Sequence, residues 1–457
     1  MPETVWINAW IISSVLSAGV LVLVRRSGLT WGESLLLALA SFPAPLMYVL
    51  RGRNSLVYPI DFAIPFAIHL GLSAGHRAAA RLKAAAFLIF VSAGVVPLLI
   101  AITISGDRMD ILFAAMNTYR LAGAMALLVR LSAARGGRYI DSSRWRLTFS
   151  WIAIVLLAAI LLQKFAGVNT NVFYSFPGGD LPNTPNTQMI VLGLFRASVG
   201  ILGLFAMCAF LASEAEWVGR WFFSLAGAFS GFAVIVLTGS KTSLVAALVL
   251  IASRIPIWRR FWSVANAAFI ILLLVSVLLL TGPGITKEYV NAGLAKFSSS
   301  FGSERESFAW RVDLWQACMD DVGANPIVAL GFPLQGTIKI SGTGAEEVEM
   351  SPYSPATYHN EYLSVFMLGG LLTLLAYLTG LMLIGYSLLR SDSVSAKRTF
   401  ALLVLAGGLM EATAVAHLQP SLLFACPVFL CAAIYGLGAR PSAPPNMDCQ
   451  LAVLRRR

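Results

Sequence analysis

Thr357-Tyr-His-Asn-Glu-Tyr-Leu363 carries a lone histidine, and the uncharged run Leu363 to Leu389 follows it directly. That run is long enough to enter a hydrocarbon core of about 30 Å, so a titratable imidazole lies within a turn or two of a membrane boundary. Upstream, Gly302-Ser-Glu-Arg-Glu-Ser-Phe-Ala-Trp-Arg-Val-Asp-Leu-Trp315 is charged, and Asn325-Pro-Ile-Val-Ala-Leu-Gly-Phe-Pro333 is punctuated by turn residues. The chain from Gly282 to Tyr362 is thus a long polar stretch with apolar runs on either side.

Outside that stretch the chain is lipid-soluble in character. Of its 457 residues 58% are hydrophobic and 12% are charged, where soluble domains carry about a quarter charged. The apolar runs are too long, and too free of alternation, for barrel strands. The expected fold class is all-α: a polytopic transmembrane helical bundle of about 12–13 spans with one large periplasmic loop of short helices.

Spans are expected at Val5 to Val24, Thr30 to Leu50, Leu56 to Leu72, Ala84 to Ile104, Ile111 to Leu131, Leu147 to Leu162, Ile190 to Leu211, Trp221 to Leu237, Thr242 to Ile255 and Phe261 to Leu280. After the loop come Leu363 to Leu389, Thr399 to Ala416 and Ser421 to Leu437. The chain divides into an N-terminal bundle (1–281), the loop (282–362), C-terminal helices (363–438) and a cytoplasmic tail (439–457). Within the loop, Glu306 to Asp321 has helical spacing, and Gly336 to Pro355, rich in Gly, Ser, Thr and Glu, reads as irregular and mobile.

The net charge of +11 invites a nucleic-acid reading, but the basic residues sort by side. With the N-terminus outside, the inner loops carry Arg25-Arg26, Arg77, Arg81, Lys83, Arg135, Arg138, Arg144, Arg146, Arg220, Arg254, Arg259, Arg260, Arg390, Lys397, Arg398 and Arg455 to Arg457. The short outer loops keep Arg51, Arg53, Arg108, Lys164 and Lys241. That asymmetry, about twenty against about five, sets the orientation and turns the large loop outward, to the periplasmic face of a bacterial inner membrane. Anionic membrane lipids, not nucleic acid, are the partners this charge implies. Cys208, Cys426 and Cys431 lie in apolar runs, Cys449 in the tail and Cys318 in the loop, with no disulfide framework and no metal-ligand spacing.

Ionisable residues in apolar runs are costly and face a cavity or a partner. Here they are Asp61, Arg120, Arg196, Lys241, Glu411 and His417. Arg120 and Arg196 either pair with Asp61 or Glu411 or line a polar pocket. Lys241 interrupts Leu237-Thr-Gly-Ser-Lys-Thr-Ser243, which lacks the upstream glycine and the preceding strand of a P-loop; its plain alternative is snorkelling to the interface. His359 is either a hydrogen-bonded structural histidine or a functional one, with Asn360 and Glu361 able to orient its ring. Arg311 and Lys241 offer an anion site on the same membrane face, and Arg305, in a mixed-charge segment, is a less specific alternative to Arg311.

Three strings, in order, resemble the O-antigen ligase and polymerase family: Leu237-Thr-Gly-Ser-Lys-Thr-Ser-Leu244, Trp310-Arg-Val-Asp-Leu-Trp315 leading to Asn325-Pro and Gly331, and His359-Asn-Glu-Tyr-Leu363 followed by Gly369-Gly370. The resemblance implies a glycosyltransferase that moves a glycan from an undecaprenyl-diphosphate donor to a hydroxyl on lipid A core or on another lipid-linked glycan, with no cofactor. A chain-length regulator is a further partner of the polymerase branch. The implied catalytic residues are His359, Arg311 and Lys241, the last a departure from the family's usual arginine. Arg196, Arg120 and Arg305 are candidate diphosphate contacts, with Asn360 and Glu361 as orienting groups.

The donor is already activated, so the difficulty is leaving-group charge. Glu346, Glu347 and Glu349 lack metal spacing, so cations replace a metal in this reading. His359 takes or orients the acceptor proton, and direct displacement inverts the anomeric centre. A flippase or transporter of lipid-linked sugar is the rival class; it predicts broken helices and inverted repeats, neither of which the sequence displays. Within the transferases a protein O-oligosaccharyltransferase is the further alternative.

Overall fold

Uncharged runs of this length can satisfy their backbone groups inside lipid only as helices, and helices are what the chain forms. The structure, a computed structural model, describes residues 2–44, 46–48, 56–74, 80–105, 108–133, 142–165, 192, 196–211, 221–238, 240–254, 315, 338–340, 348–350, 360–389 and 405. Its helices are α1 Pro2–Arg25, α2 Trp31–Ala40, α3 Ile64–Ala74, α4 Ala80–Phe90, α5 Val96–Ile100, α6 Arg108–Ala133, α7 Ser142–Phe165, α8 Arg196–Leu211, α9 Trp221–Thr238, α10 Lys241–Arg254 and α11 Glu361–Leu389. The spans expected at Phe261 to Leu280, Thr399 to Ala416 and Ser421 to Leu437 lie outside the described residues, apart from Leu405.

Among the described residues three helices, Ala80–Thr103, Asp110–Ala133 and Glu361–Leu389, have the length and apolar composition to cross a membrane, and six apolar helices are shorter. A buried apolar core is present, and large apolar side chains also lie on the surface. Leu72, Phe229 and Leu372 are 78%, 72% and 72% exposed, while Arg120, Glu33 and Glu361 are buried. Together these features make an all-α membrane protein with apolar side chains on its surface and a few charges buried inside.

Three segments depart from expectation. The run Thr30 to Leu50 yields only α2, which ends at Ala40. Pro43 and Pro45 cannot continue a helix, and the chain instead forms an antiparallel hairpin of β1, Met47–Tyr48, with β2, Leu56–Val57. The loop segment expected to be irregular holds a second antiparallel hairpin, β3 Ile338–Ile340 with β4 Val348–Met350, in which Lys339 lies opposite Glu349. Apolar-polar-apolar alternation was present in both strands, at the strand period of two.

The third departure is α11. Gly370 has φ 74 and ψ −173, a non-helical geometry inside the helix, and the Tyr377 hydroxyl donates to the Glu361 carboxylate. In a straight helix those two positions would stand about 24 Å apart along the axis, far beyond the combined reach of the two side chains. The two arms therefore fold back at Gly370 with an acute angle. Burial agrees: from Glu361 to Gly370 every residue but Phe366 is buried, whereas the second arm alternates buried and exposed positions with helical period. The first arm is a short helix enclosed by protein; the second alone faces lipid.

Pro97 breaks the ladder of the long helix formed by α4 and α5, and the backbone opens into wide turns at Val91–Val95 and Ala101–Ser105. The Thr118 hydroxyl, from α6, donates to the Gly94 carbonyl at 2.9 Å, re-satisfying an acceptor near the break.

Contacts at two levels fix how helices run. In α3 and α6, Asp61 next to α3 meets Arg120 and Gly71 meets Ala126, so these run parallel. The second arm of α11 meets α4 through Gly380 against Ala85 and Ile89 and Tyr386 against Arg81, so these run antiparallel. Both directions match the strict alternation implied by the charged loops. Crossings use small residues: a methyl on Gly203 of α8 would lie 2.6 Å from the Gly231 carbonyl of α9, and one on Gly231 would strike the Gly203 carbonyl in return. Gly231→Val is expected to destabilise the fold by about 1–3 kcal/mol, seen as a lower melting midpoint in detergent, while Gly385→Ala, which meets the end of the Leu405 side chain, stays close to wild type.

Candidate functional site

The polar break expected around Lys241 is a tight corner between α9 and α10. Thr238 closes α9 by donating to the Val234 carbonyl at 2.7 Å. Ser240 opens α10: its carbonyl accepts the Leu244 N–H at 2.9 Å, and its hydroxyl lies 2.7 Å from that of Ser243. Lys241 is the first residue of α10. The corner is pressed against α8, where a methyl on Gly200 would lie 2.6 Å from Ser240 Cβ and 2.5 Å from Ser243 Oγ. Gly200 stands one turn after Arg196, the first residue of α8. Two neighbouring helices thus begin at the same end of the bundle, each with a basic residue at its first position. A helix start already carries partial positive charge and unpaired N–H groups, and here a basic residue begins each of the two helices.

Asn360 and Glu361 form the start of the enclosed arm of α11. The Asn360 side-chain oxygen accepts the Leu363 N–H at 3.0 Å, and its carbonyl accepts the Ser364 hydroxyl at 2.8 Å. Asn360 is therefore a helix N-cap. Glu361, buried at 3% exposure, takes the Tyr377 hydroxyl from the second arm. These two residues position the arm that directly follows His359 in the chain. Tyr377 is the partner that sequence reasoning missed: sixteen positions away in an apparently continuous helix, it is within reach only because of Gly370.

Arg120 is held by a carboxylate. Its Nε donates to Asp61 Oδ1 at 2.7 Å and its Nη2 to Asp61 Oδ2 at 2.6 Å, a bidentate pair with Arg120 2% and Asp61 11% exposed. The Tyr58 ring lies 5.5 Å from the guanidinium carbon, and the Tyr119 hydroxyl donates to the Asp61 carbonyl at 2.9 Å. Of the two alternatives for Arg120, pairing with Asp61 is present. A second pair that sequence reasoning did not anticipate joins Arg130 to Glu33 at 2.7 Å.

The structure brings the starts of α8 and α10, and so Arg196 and Lys241, to one end. It sets Arg120 apart in its ion pair, and Asn360 and Glu361 in the cap of α11. Arg305, Arg311 and His359 lie outside the described residues. Among the described residues no group of three His, Cys, Asp or Glu could hold a metal ion.

Fold and site define a helical membrane protein with a cationic end made of helix starts. Within that class, residues 225–378 match the family model of O-antigen ligase, in agreement with the resemblance carried by the three strings. The matched segment runs from α9 through Tyr377 and contains Lys241, Arg305, Arg311, His359, Asn360 and Glu361; Arg120 and Arg196 fall outside it. The family implies a ligase or polymerase role in glycan assembly and lipid-linked glycan and acceptor substrates. Comparison with curated proteins gives no match.

Two consequences are measurable. Arg120→Ala leaves the Asp61 carboxylate buried without its partner and is expected to cost about 3–5 kcal/mol in detergent unfolding, most of it recovered by Arg120→Met combined with Asp61→Leu. Tyr377→Phe removes the latch between the arms of α11; it should speed amide exchange across residues 361–369 and leave 371–389 unchanged.

Proposed function

We propose that the chain is an integral-membrane glycosyltransferase of O-antigen or exopolysaccharide assembly, acting as polymerase or ligase on the periplasmic face of a bacterial inner membrane. The donor is an undecaprenyl-diphosphate-linked glycan and the acceptor a sugar hydroxyl. The observation that carries the reading is the shared end of α8 and α10, where Arg196 and Lys241 each occupy a first helical position within or beside the O-antigen ligase match. A cation at that position works against the helix dipole by about 0.3–1 kcal/mol, an arrangement that an anionic ligand such as diphosphate makes favourable.

In this reading Lys241 and Arg311 neutralise the departing diphosphate in place of a metal, with Arg196 and Arg305 as supporting contacts. His359 removes or orients the acceptor proton, and the cap at Asn360 with the latch at Glu361 fixes the helix that follows it. Attack opposite the diphosphate inverts the anomeric carbon. Arg120 serves the fold through Asp61 and leaves the diphosphate to the other cations.

A second reading has one specific observation in its favour. The break in α11 at Gly370, which the sequence did not reveal, is the kind of discontinuity used by transporters of charged substrates. The leaflet in which undecaprenyl-linked glycan accumulates in a deletion strain separates the two: outer for a transferase, inner for a flippase.

The direct test is substitution with membrane insertion verified. His359→Ala should lower polymer synthesis by about 10²–10⁴-fold. Lys241→Ala should lower it by at least about tenfold, the loss of one charge-assisted contact, with Lys241→Arg close to wild type. Retention of anomeric configuration in the product, read by NMR, would discard the single-displacement scheme.

A further inference from the structure

The turn between α1 and α2 is hydrogen-bonded into a cup. Where α1 ends, the Ser27 hydroxyl donates to the Val24 carbonyl at 2.6 Å, and Gly28 takes φ 100, a left-handed geometry suited to glycine at a helix end. Thr30 and Glu33 then open α2 with a reciprocal capping box. Arg25, Gly28, Leu29, Thr30 and Trp31 line an open pocket of about 450 Å³.

The Arg25 guanidinium lies across this cup. Its Nη1 donates to the Leu29 carbonyl at 2.9 Å, and its carbon stands 5.2 Å from the centre of the Trp31 ring. Its Nε is buried and has no hydrogen-bond partner, and the ion pairs among the described residues belong to other arginines. The guanidinium as a whole is only part-buried and pairs with no carboxylate among the described residues, so its accessible edge is open to an anionic oxygen.

The surroundings identify which anion. Val22, one turn before Arg26, is 48% exposed on α1, and Trp31 and Leu35, one turn apart on α2, are 66% and 49% exposed. These are lipid-facing stripes that lead up to the cup. By the distribution of basic residues the cup lies at the inner leaflet, whose lipids are anionic.

We propose that the α1–α2 cup is a binding site for the phosphate group of an anionic phospholipid, held by Arg25 with its acyl chains along Val22, Trp31 and Leu35. The site is separate from glycosyl transfer, so its test uses no activity readout. The full-length protein in phosphatidylcholine nanodiscs is titrated with phosphatidylglycerol, and retained lipid is counted by native mass spectrometry beside the melting midpoint. Wild type is expected to retain one phosphatidylglycerol tightly and to melt higher with it. Arg25→Gln should bind at least about tenfold more weakly, Arg25→Lys, which keeps charge without the planar fork, should fall between, and Arg26→Gln should stay near wild type.

Retention by Arg25→Gln equal to wild type overturns the site. Should that variant not fold, Arg25→Lys binding as tightly as wild type overturns it equally. Inorganic phosphate or glycerol 3-phosphate, added at millimolar concentration without phosphatidylglycerol, should leave the midpoint unmoved; a shift as large as the lipid's would assign the cup to a soluble anion and end the phospholipid proposal.

Discussion

Inside lipid there is no water to rescue a broken backbone, so every interruption of a helix must be repaired by protein. The interruptions among the described helices obey that constraint. At Pro97 the Thr118 hydroxyl reaches the Gly94 carbonyl. At the α9–α10 corner the Ser240 N–H donates to the Ile235 carbonyl at 3.2 Å. At Gly370 the Thr373 hydroxyl donates to the Gly369 carbonyl at 2.6 Å, and the far end of the enclosed arm is capped by Asn360. The same rule covers charge, since the Asp61 and Arg120 groups enter the bundle only as a bidentate pair.

Two of these contacts join different segments and so also set the packing. Thr118 ties α6 to the α4–α5 helix, and Arg120 ties α6 to the turn before α3, so α6 is fixed on two sides by polar contacts. Glycine contacts complete the frame where a side chain would not fit, at Gly203 with Gly231 and at Gly200 with the Ser240 corner. The last of these is also what holds the starts of α8 and α10 together. A packing contact within the frame therefore sets how close the two helix starts stand.

The helical class and most positions of the described helices were legible in the sequence, because lipid imposes length, and the two helix pairs whose relative direction is fixed run as the loop charges lead one to expect. The polar corner at Ser240 was legible for the same reason, as a short hydrophilic gap between long apolar runs. Gly369-Gly370 was visible as a pair but not as a fold-back, since a break flanked by apolar residues leaves hydropathy continuous. The Glu361–Tyr377 latch was hidden with it. Pairing of Arg120 with Asp61 could be named only as one alternative, because the sequence shows which charges need partners and tertiary structure chooses among them. The hairpin at residues 338–350 was masked by its Gly, Ser and Glu-rich connection, which outweighed two short alternating strands.

The position of Lys241 bears on why a lysine stands where the family usually has arginine. An arginine offers two parallel donors to a phosphate, and a lysine offers one compact charge on a flexible stem. At the first position of α10 the lysine stands beside the unpaired backbone N–H groups of the opening turn. In the proposed site the helix start would then contribute the directional donors and the ammonium the charge, dividing between backbone and side chain what a guanidinium does alone. Such a division requires the start of α10 to be fixed relative to its ligand, and Gly200 packed against Ser240 and Ser243 holds it against α8. Widening that contact would then weaken the lysine's role without touching the lysine, a dependence that an arginine carrying its own fork would feel less.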